Sequence, residues 1–505
     1  MGVSQAERRR VRHPDSKRTR LSSYLIFAVL FTAGLIVSHL TILDLPYFWD
    51  EAGQFIPQTF DLLRNGDWYA TSVTPNVHPP GVMAYLATIW RITGPHIVIT
   101  RLAMLLLAAL GLLFAFRLAI LLTGQARGIP ALLVVLLLAC SPLFYSQAML
   151  VQLDMPAMVF TMLSLLLFLE NRIALCVVAC TVLVVVKETG IVAPGVFGLV
   201  LLTEKRWRDA FLFFVPAFVL AGWLAYLRSQ TGHVFGSAEF THFNVQFALG
   251  FLHLGLGALR RVSYLFVENL HILGTVAIVA GLWRGRFAGR NWSVTGLFAL
   301  AHVVGVTVIG GATLERYLLP VIPLFYMAAV LGAEALPGLW RKVCLFGMLI
   351  GLLIGLFWNP PFWPFPYENN LAFVDFVKLH QDAADYVSLR FNGEKIVTAW
   401  PLGSALRNPD LGYVNRPIPT TELLDFSASR IRKIPREQMD VLILYSRDWD
   451  PPNNLMHHPL VRGLLRRSWG YEAPIGRFEV EGELGLKPLK RWERGGQWLE
   501  IYGRP

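Results

Sequence analysis

Residues 21–55 read LSSYLIFAVLFTAGLIVSHLTILDLPYFWDEAGQF. From Leu21 to Leu43 the run is apolar, broken only by small polar residues and His39. Its length matches the roughly 20 apolar residues that a helix needs to cross a bilayer core. Ahead of it stands MGVSQAERRRVRHPDSKRTR, strongly basic, and no small-residue cleavage site follows the run. A retained signal-anchor helix fits those flanks better than a cleaved signal peptide. Beyond the run, Tyr47, Phe48 and Trp49 read as aromatic anchors at headgroup depth. Behind them comes the first acidic pair, Asp50–Glu51.

The rest of the chain extends this pattern. Its 505 residues are 54% hydrophobic and only 16% charged, with mean hydropathy +0.49. A soluble chain carries about a quarter charged residues, so a polytopic membrane protein is the class expected. The net charge of +11 is unevenly spread. Residues 359–505 hold 19 Lys+Arg against 18 Asp+Glu, and residues 1–358 hold 26 against 16. The excess therefore belongs to the membrane half, as topology-setting loops require, and argues against a nucleic-acid partner. Cys140, Cys176, Cys180 and Cys344 all fall within apolar runs, without metal-ligand spacing, so the outer part has no disulfide.

About eleven apolar runs are expected as helices: 22–43, 97–122, 129–148, 154–170, 172–187, 190–203, 209–227, 264–283, 294–311, 317–333 and 342–358. The loops GQAR (124–127), ENR (170–172), TEKRWRD (203–209), WRGRFAGR (283–290) and LWRK (339–342) fall on alternate sides and share the N-terminal side. The positive-inside rule places that side in the cytoplasm. Asp50–Glu51, Asp154, Lys187–Glu188, Glu315–Arg316 and everything after Trp358 then face outward. The expected plan is a basic cytoplasmic N-terminus (1–21), a transmembrane domain (22–358) with a first outer loop at 44–94, and a periplasmic or otherwise extracytoplasmic α/β domain (359–505). Such a chain is a multi-pass protein of the inner (plasma) membrane.

Within the outer loop, Phe55, Ile56, Phe60 and Leu63 recur near helical spacing and stop at Asn65-Gly66, which predicts an amphipathic surface helix. A second begins after Pro79-Pro80, and a third carries Arg260 and Arg261. The Pro-rich stretch NPPFWPFPYENN precedes a helical stretch at 371–390 and β-like runs at 395–400, 440–446 and 497–503.

Charge near membrane depth is costly and usually lines a site. Asp50–Glu51 suits a general base, although carboxylates in a first helical turn also simply cap free N–H groups. His78 before the proline pair can donate to a phosphate oxygen or ligate a metal, or be merely polar. Asp154 caps a helix or supports the site, Lys187–Glu188 ends a wholly apolar run, and Arg316–Tyr317 opens another. Arginine suits bidentate phosphate binding, or pairing with Glu315. No HExxH-like spacing establishes a metal.

WDEAGQF (49–55), followed by LLRNGDWYATSVTPNVHPPGVMAYL (62–86), resembles the first outer loop of a membrane glycosyltransferase family. That family includes protein O-mannosyltransferases and the aminoarabinose transferase of lipid A (glycosyltransferase families 39 and 83). VQLDMP, VVVKETGIVAP and LERYLLPVIPL follow in the family's order, so the resemblance covers about residues 22–335. It implies a GT-C fold, a polyprenyl-phosphate sugar donor and a lipid, glycan or protein acceptor. It also implies Asp50 as the catalytic carboxylate with Glu51 as its acidic neighbour. Lys187, Glu188 and Arg316 would support the donor phosphate together with His78 and Tyr317, and Asp154 would be auxiliary. The family's use of a divalent metal cation varies and stays open. The aminoarabinose branch has a lysine before the proline pair where this chain has His78, which argues against that donor and against lipid A as acceptor.

The expected activity is inverting glycosyl transfer on the outer membrane face. Two rivals predict different features. A transporter or flippase of lipid-linked sugars would carry charge at the bilayer midplane and repeated halves, and a non-catalytic envelope assembly protein would show no turnover.

Overall fold

The computed structural model describes residues 15–504, except 125–127, 247–248, 362–363, 392, 452–453 and 470. Most of the basic N-terminus and of the GQAR loop lies outside the described residues. Every one of the eleven apolar runs is helical, but their lengths differ. Five helices are long and apolar enough to cross a membrane: Tyr24–Ile42, Ile97–Thr123, Trp207–Thr231, Arg290–Ile309 and Gly338–Gly355. A sixth arises if Phe251–Phe266 and Glu268–Trp283, bent by 44°, count as one span. The bend has a local cause, since Asn269 and Leu270 adopt left-handed φ values of 51° and 59°.

Five further apolar helices, Ile129–Cys140, Asp154–Leu169, Ile173–Val186, Glu188–Thr203 and Ile322–Ala333, have 12 to 16 residues. At 1.5 Å per residue each covers about 18–24 Å, less than a bilayer core. Asp154–Leu169 is buried on nearly every side, which explains its uniform apolarity: it packs in protein, not lipid.

The two ends of the bundle differ in character. At one end Arg290 pairs with Glu204 at 2.5 Å, Arg117 with Glu170 at 2.9 Å, and Trp292 donates to the Leu122 carbonyl at 3.2 Å. Loops expected on one side therefore meet. Asp50, Asp154, Lys187, Arg316 and the start of the C-terminal domain gather at the other end.

The first outer loop departs from expectation. Its helix Ile56–Asn65 does stop at Gly66, at φ 79°. Yet Ile56 to Leu62 are all buried, so it is packed within protein instead of lying along lipid, and Leu62 is buried where Leu63 was expected. Likewise Tyr47 and Phe48 are buried, and Trp49 packs edge-on against Phe376 and Trp400 of the C-terminal domain. These aromatics dock the outer domain; they are not lipid anchors.

That domain carries a five-stranded sheet of order β2-β1-β3-β5-β4, from β1 Ile396–Ala399, β2 Thr420–Leu423, β3 Val441–Tyr445, β4 Lys487–Arg494 and β5 Gln497–Gly503. β1 runs parallel to β2 and β3, while β5 is antiparallel to β3 and β4. β1 and β3 are buried throughout, as central parallel strands should be. β2 and β4 went unforeseen because they form the edges. KPLKRWER in β4 is mostly exposed and lacks apolar alternation.

Candidate active site

Asp50 enters the site from a strained turn. Trp49 before it has φ 47°, a conformation that costs a non-glycine residue about 1–3 kcal/mol. The packing of its ring on Phe376 and Trp400 holds it there. The chain then forms a single wide turn, Glu51–Phe55, continuous with the helix Ile56–Asn65.

The two neighbouring carboxylates have separate surroundings. Glu51 is fully buried, and its Oε1 accepts from Arg101 and from the Val151 amide at 2.5 Å. Its Oε2 accepts from the Phe48 amide at 2.7 Å. Arg101, also fully buried, donates further to the carbonyls of Leu45, Pro46 and Met149. This ion pair ties the outer loop to the helix Ile97–Thr123 and to the segment before Asp154. Both of its oxygens are occupied inside protein.

Asp50 instead reaches Arg316. Arg316 Nη2 donates to Asp50 Oδ2 at 2.5 Å, Nη1 donates to Glu368 Oε2 at 2.6 Å, and Nε lies 3.2 Å from Asp154 Oδ2. One guanidinium thus holds three carboxylates from the outer loop, a membrane-helix start and the outer domain. Asp50 Oδ1 makes no hydrogen bond among the described residues. Lys187 completes the set by pairing with Asp154 and lying 4.0 Å over the Tyr317 ring. His78 Nδ1 lies 2.9 Å from Glu188 Oε2, so a second pair stands next to Lys187 in sequence. Asp50, Asp154, Lys187, Arg316 and Tyr317 are therefore one connected group, His78–Glu188 adjoins it, and Glu51 stands apart.

Sequence reasoning missed Glu368, Arg101 and Arg261. Arg101 carried a usable signal, a charge one turn into a long apolar run. Arg261 is 2% exposed and donates to the Gly310 and Ala312 carbonyls at 3.3 and 3.0 Å, with no carboxylate partner among the described residues. Its neighbour Arg260 pairs with Glu315, whose other oxygen accepts from Asn369 at 2.7 Å.

A cleft of about 980 Å³ opens between this network and the outer domain. Asp50 and Glu368 line its floor, and Tyr445, Trp449 and Trp498 line its walls. Burial pushes the Glu368 carboxyl up to about 7, against the pull of Arg316 and with help from the Asp50 and Asp154 charges. On the same cleft, desolvation by the surrounding protein and the neighbouring Asp450 push the Asp448 carboxyl up to about 6.

These carboxylates do not fit a divalent metal. Asp50, Asp154 and Glu368 converge on the Arg316 guanidinium, which fills the position a cation would take. Among the described residues no three His, Cys, Asp or Glu side chains form a metal-holding group.

No family model matches the sequence, and no curated protein matches it. The fold does have solved relatives. It is similar to ArnT from Cupriavidus metallidurans bound to undecaprenyl phosphate, with TM-score 0.53 and 14% identity over 94% of this chain and 97% of that one. The apo crystal structure of the same protein gives TM-score 0.52 and 15% identity over 95% and 98%. The likeness runs from the membrane bundle through the outer α/β domain, and it is one of fold alone.

Proposed function

We propose that this chain is a membrane glycosyltransferase. It would move a sugar from a polyprenyl phosphate to an acceptor hydroxyl on the outer (periplasmic) face, with inversion at the anomeric carbon. The observation that carries the reading is Asp50: one oxygen is fixed by Arg316 and the other is left toward a cleft large enough for an acceptor. In the reaction the acceptor oxygen forms a bond to the anomeric carbon as the bond from that carbon to the phosphate oxygen breaks. The hydroxyl proton passes to Asp50, and the electron pair leaves with the polyprenyl phosphate. Positioned proton removal of this kind contributes about 10²–10⁴ in rate.

The developing phosphate charge needs donors that carboxylates have not saturated. Arg316 is held by three carboxylates, so its part is to orient Asp50. Lys187 beside Tyr317, His78 and the carboxylate-free Arg261 remain to face the phosphate. A shared fold with a protein crystallised with undecaprenyl phosphate supports such a donor. Glu51 serves as scaffold in this scheme, and no step requires a metal.

The test uses the purified full chain in lipid nanodiscs with radiolabelled polyprenyl-phosphate sugars. Donor consumption should fall at least about 100-fold in Asp50→Asn while the melting temperature holds. Wild-type turnover by Asp50→Asn would overturn the assignment. So would movement of intact lipid-linked sugar between leaflets of proteoliposomes without consumption, the behaviour of a transporter.

A further inference from the structure

We infer that the cleft above Asp50 is an acceptor site built for an uncharged, hydroxyl-rich sugar, and that it rejects acceptors bearing phosphate. The inference rests on the transferase reading of Asp50 and deepens it by naming the acceptor class.

Charge is the first argument. Carboxylates line the cleft from both sides: Asp50 and Glu368 on the floor, and Asp425, Asp448, Asp450 and Glu472 on the outer domain. Arg260 and Arg447 are its two arginines among the described residues, against those six carboxylates. Arg260 is paired with Glu315 and donates to the Pro364 carbonyl. Arg447 donates to the Leu424 carbonyl at 2.6 Å and stacks over Trp49 at 5.2 Å. A phosphorylated acceptor would enter a lining where carboxylates outnumber arginines six to two.

The second argument is an unused acceptor atom. Glu368 is 3% exposed, and its Oε1 has no hydrogen-bond partner among the described residues, although it lines the cleft. A buried oxygen left unpaired costs about 1–3 kcal/mol, and a ligand hydroxyl would satisfy it. Asp448 also lines the cleft, next to Asp450. The other outer carboxylates are already engaged: Asp425 with Ser427 and Arg430, Asp450 with Asn454 and His457, and Glu472 with Ser429.

The walls add the third. Tyr445, Trp449, Tyr471 and Trp498 line the cleft together with Phe426. Flat aromatic faces beside carboxylate acceptors match a sugar ring, whose C–H face stacks while its hydroxyls donate. A basic peptide would need several free carboxylates, and Asp425, Asp450 and Glu472 are already engaged. The volume of about 980 Å³ lies at the upper end of small-molecule sites, with room for more than one ring.

The experiment measures binding separately from transfer. The full chain carrying Asp50→Asn is titrated with maltotriose, mannotriose, galactotriose and chitotriose, with a 6-phosphorylated counterpart of each, and with a lysine-rich peptide. Tryptophan emission reports binding, because Trp49, Trp449 and Trp498 line the cleft. At least one neutral trisaccharide should bind saturably, about tenfold or more tighter than its phosphorylated form. Asp448→Lys should narrow that gap to about threefold or less. Glu472→Gln, on the exposed rim, provides a second variant should Asp448→Lys fail to fold. Preference for the phosphorylated sugars or the peptide would overturn the proposal, as would no neutral binding up to saturating solubility. Donor turnover with phosphorylated preference would sink the acceptor class and leave the transferase reading standing. Neutral binding without any donor turnover would do the reverse.

Discussion

Arg316 Nη2 and Asp50 Oδ2 lie 2.5 Å apart although 266 residues separate them in the chain. The contact joins the first outer loop to the opening of a late membrane helix, and Glu368 extends it to the outer domain. The outer domain is thereby attached to the cleft floor by charge as well as by the packing of Trp49.

Removing Arg316 leaves three carboxylates facing one another without a cation. Breaking a buried ion pair by deleting one partner costs about 3–5 kcal/mol. Arg316→Ala should therefore lower thermal stability in nanodiscs sharply. Arg316→Lys should fold but lose most activity, because an ammonium cannot hold Asp50 and Glu368 in a fixed fork. Unfolding curves and donor turnover of the two variants give both outcomes directly.

Asp50 and Glu51 should separate cleanly under isosteric substitution. Glu51→Gln leaves Arg101 buried without its partner, so about 3–5 kcal/mol of stability should go while the folded fraction keeps near-normal kcat. Asp50→Asn should keep stability and lose turnover. The opposite pattern in a paired melting and kinetic measurement would exchange their roles.

That separation also marks how far the sequence could be read. The helices were legible because uninterrupted apolar runs leave few alternatives, and Asp154, Lys187 and Arg316 stood out as charges bordering such runs. Only the family resemblance set Asp50 apart from Glu51, since adjacency in sequence says nothing about which way each side chain turns. The strained φ of Trp49 and the distant Arg101 decide that, and neither can be read from local pattern. Glu368 stayed hidden for a different reason. It lies in NPPFWPFPYENN, where a single acid is unremarked, and its importance exists only once the outer domain docks. Trp49 misled in the same way: an aromatic beside a membrane helix suggests an interface anchor until the domain that covers it is seen.

Glu368 should give the protein a pH dependence near neutrality. Its carboxyl is raised from 4.5 to about 7, so the fold favours the protonated form. The stabilisation from that proton is fully present below about 4.5 and is lost as pH rises through 7. Wild type should melt lower at pH 8 than at pH 5, and Glu368→Gln, which cannot ionise, should lose less over that range. Identical pH profiles for the two proteins would contradict the environment described for Glu368.

The outer domain should fail from the acid side for the opposite reason. His380 lies on the helix Ala372–Arg390 with its ring stacked on Phe376 at 3.8 Å and edge-on to Tyr445 at 4.5 Å. Burial lowers its pKa from 6.5 to about 3, although its hydrogen bond to the Phe376 carbonyl acts in the other direction. A histidine held neutral stabilises the fold above its unfolded pKa, and that stability is lost as pH falls from 6.5 toward 3. The slope is at most about 1.4 kcal/mol per pH unit. Nε2 has no partner among the described residues, so an apolar ring can replace the imidazole without stranding a second polar group. His380→Phe should therefore fold, and its unfolding midpoint should fall less steeply than wild type between pH 6.5 and 4.5. Circular dichroism melts of the full chain across that interval measure the difference, and parallel acid limbs would show that His380 is not the group being charged.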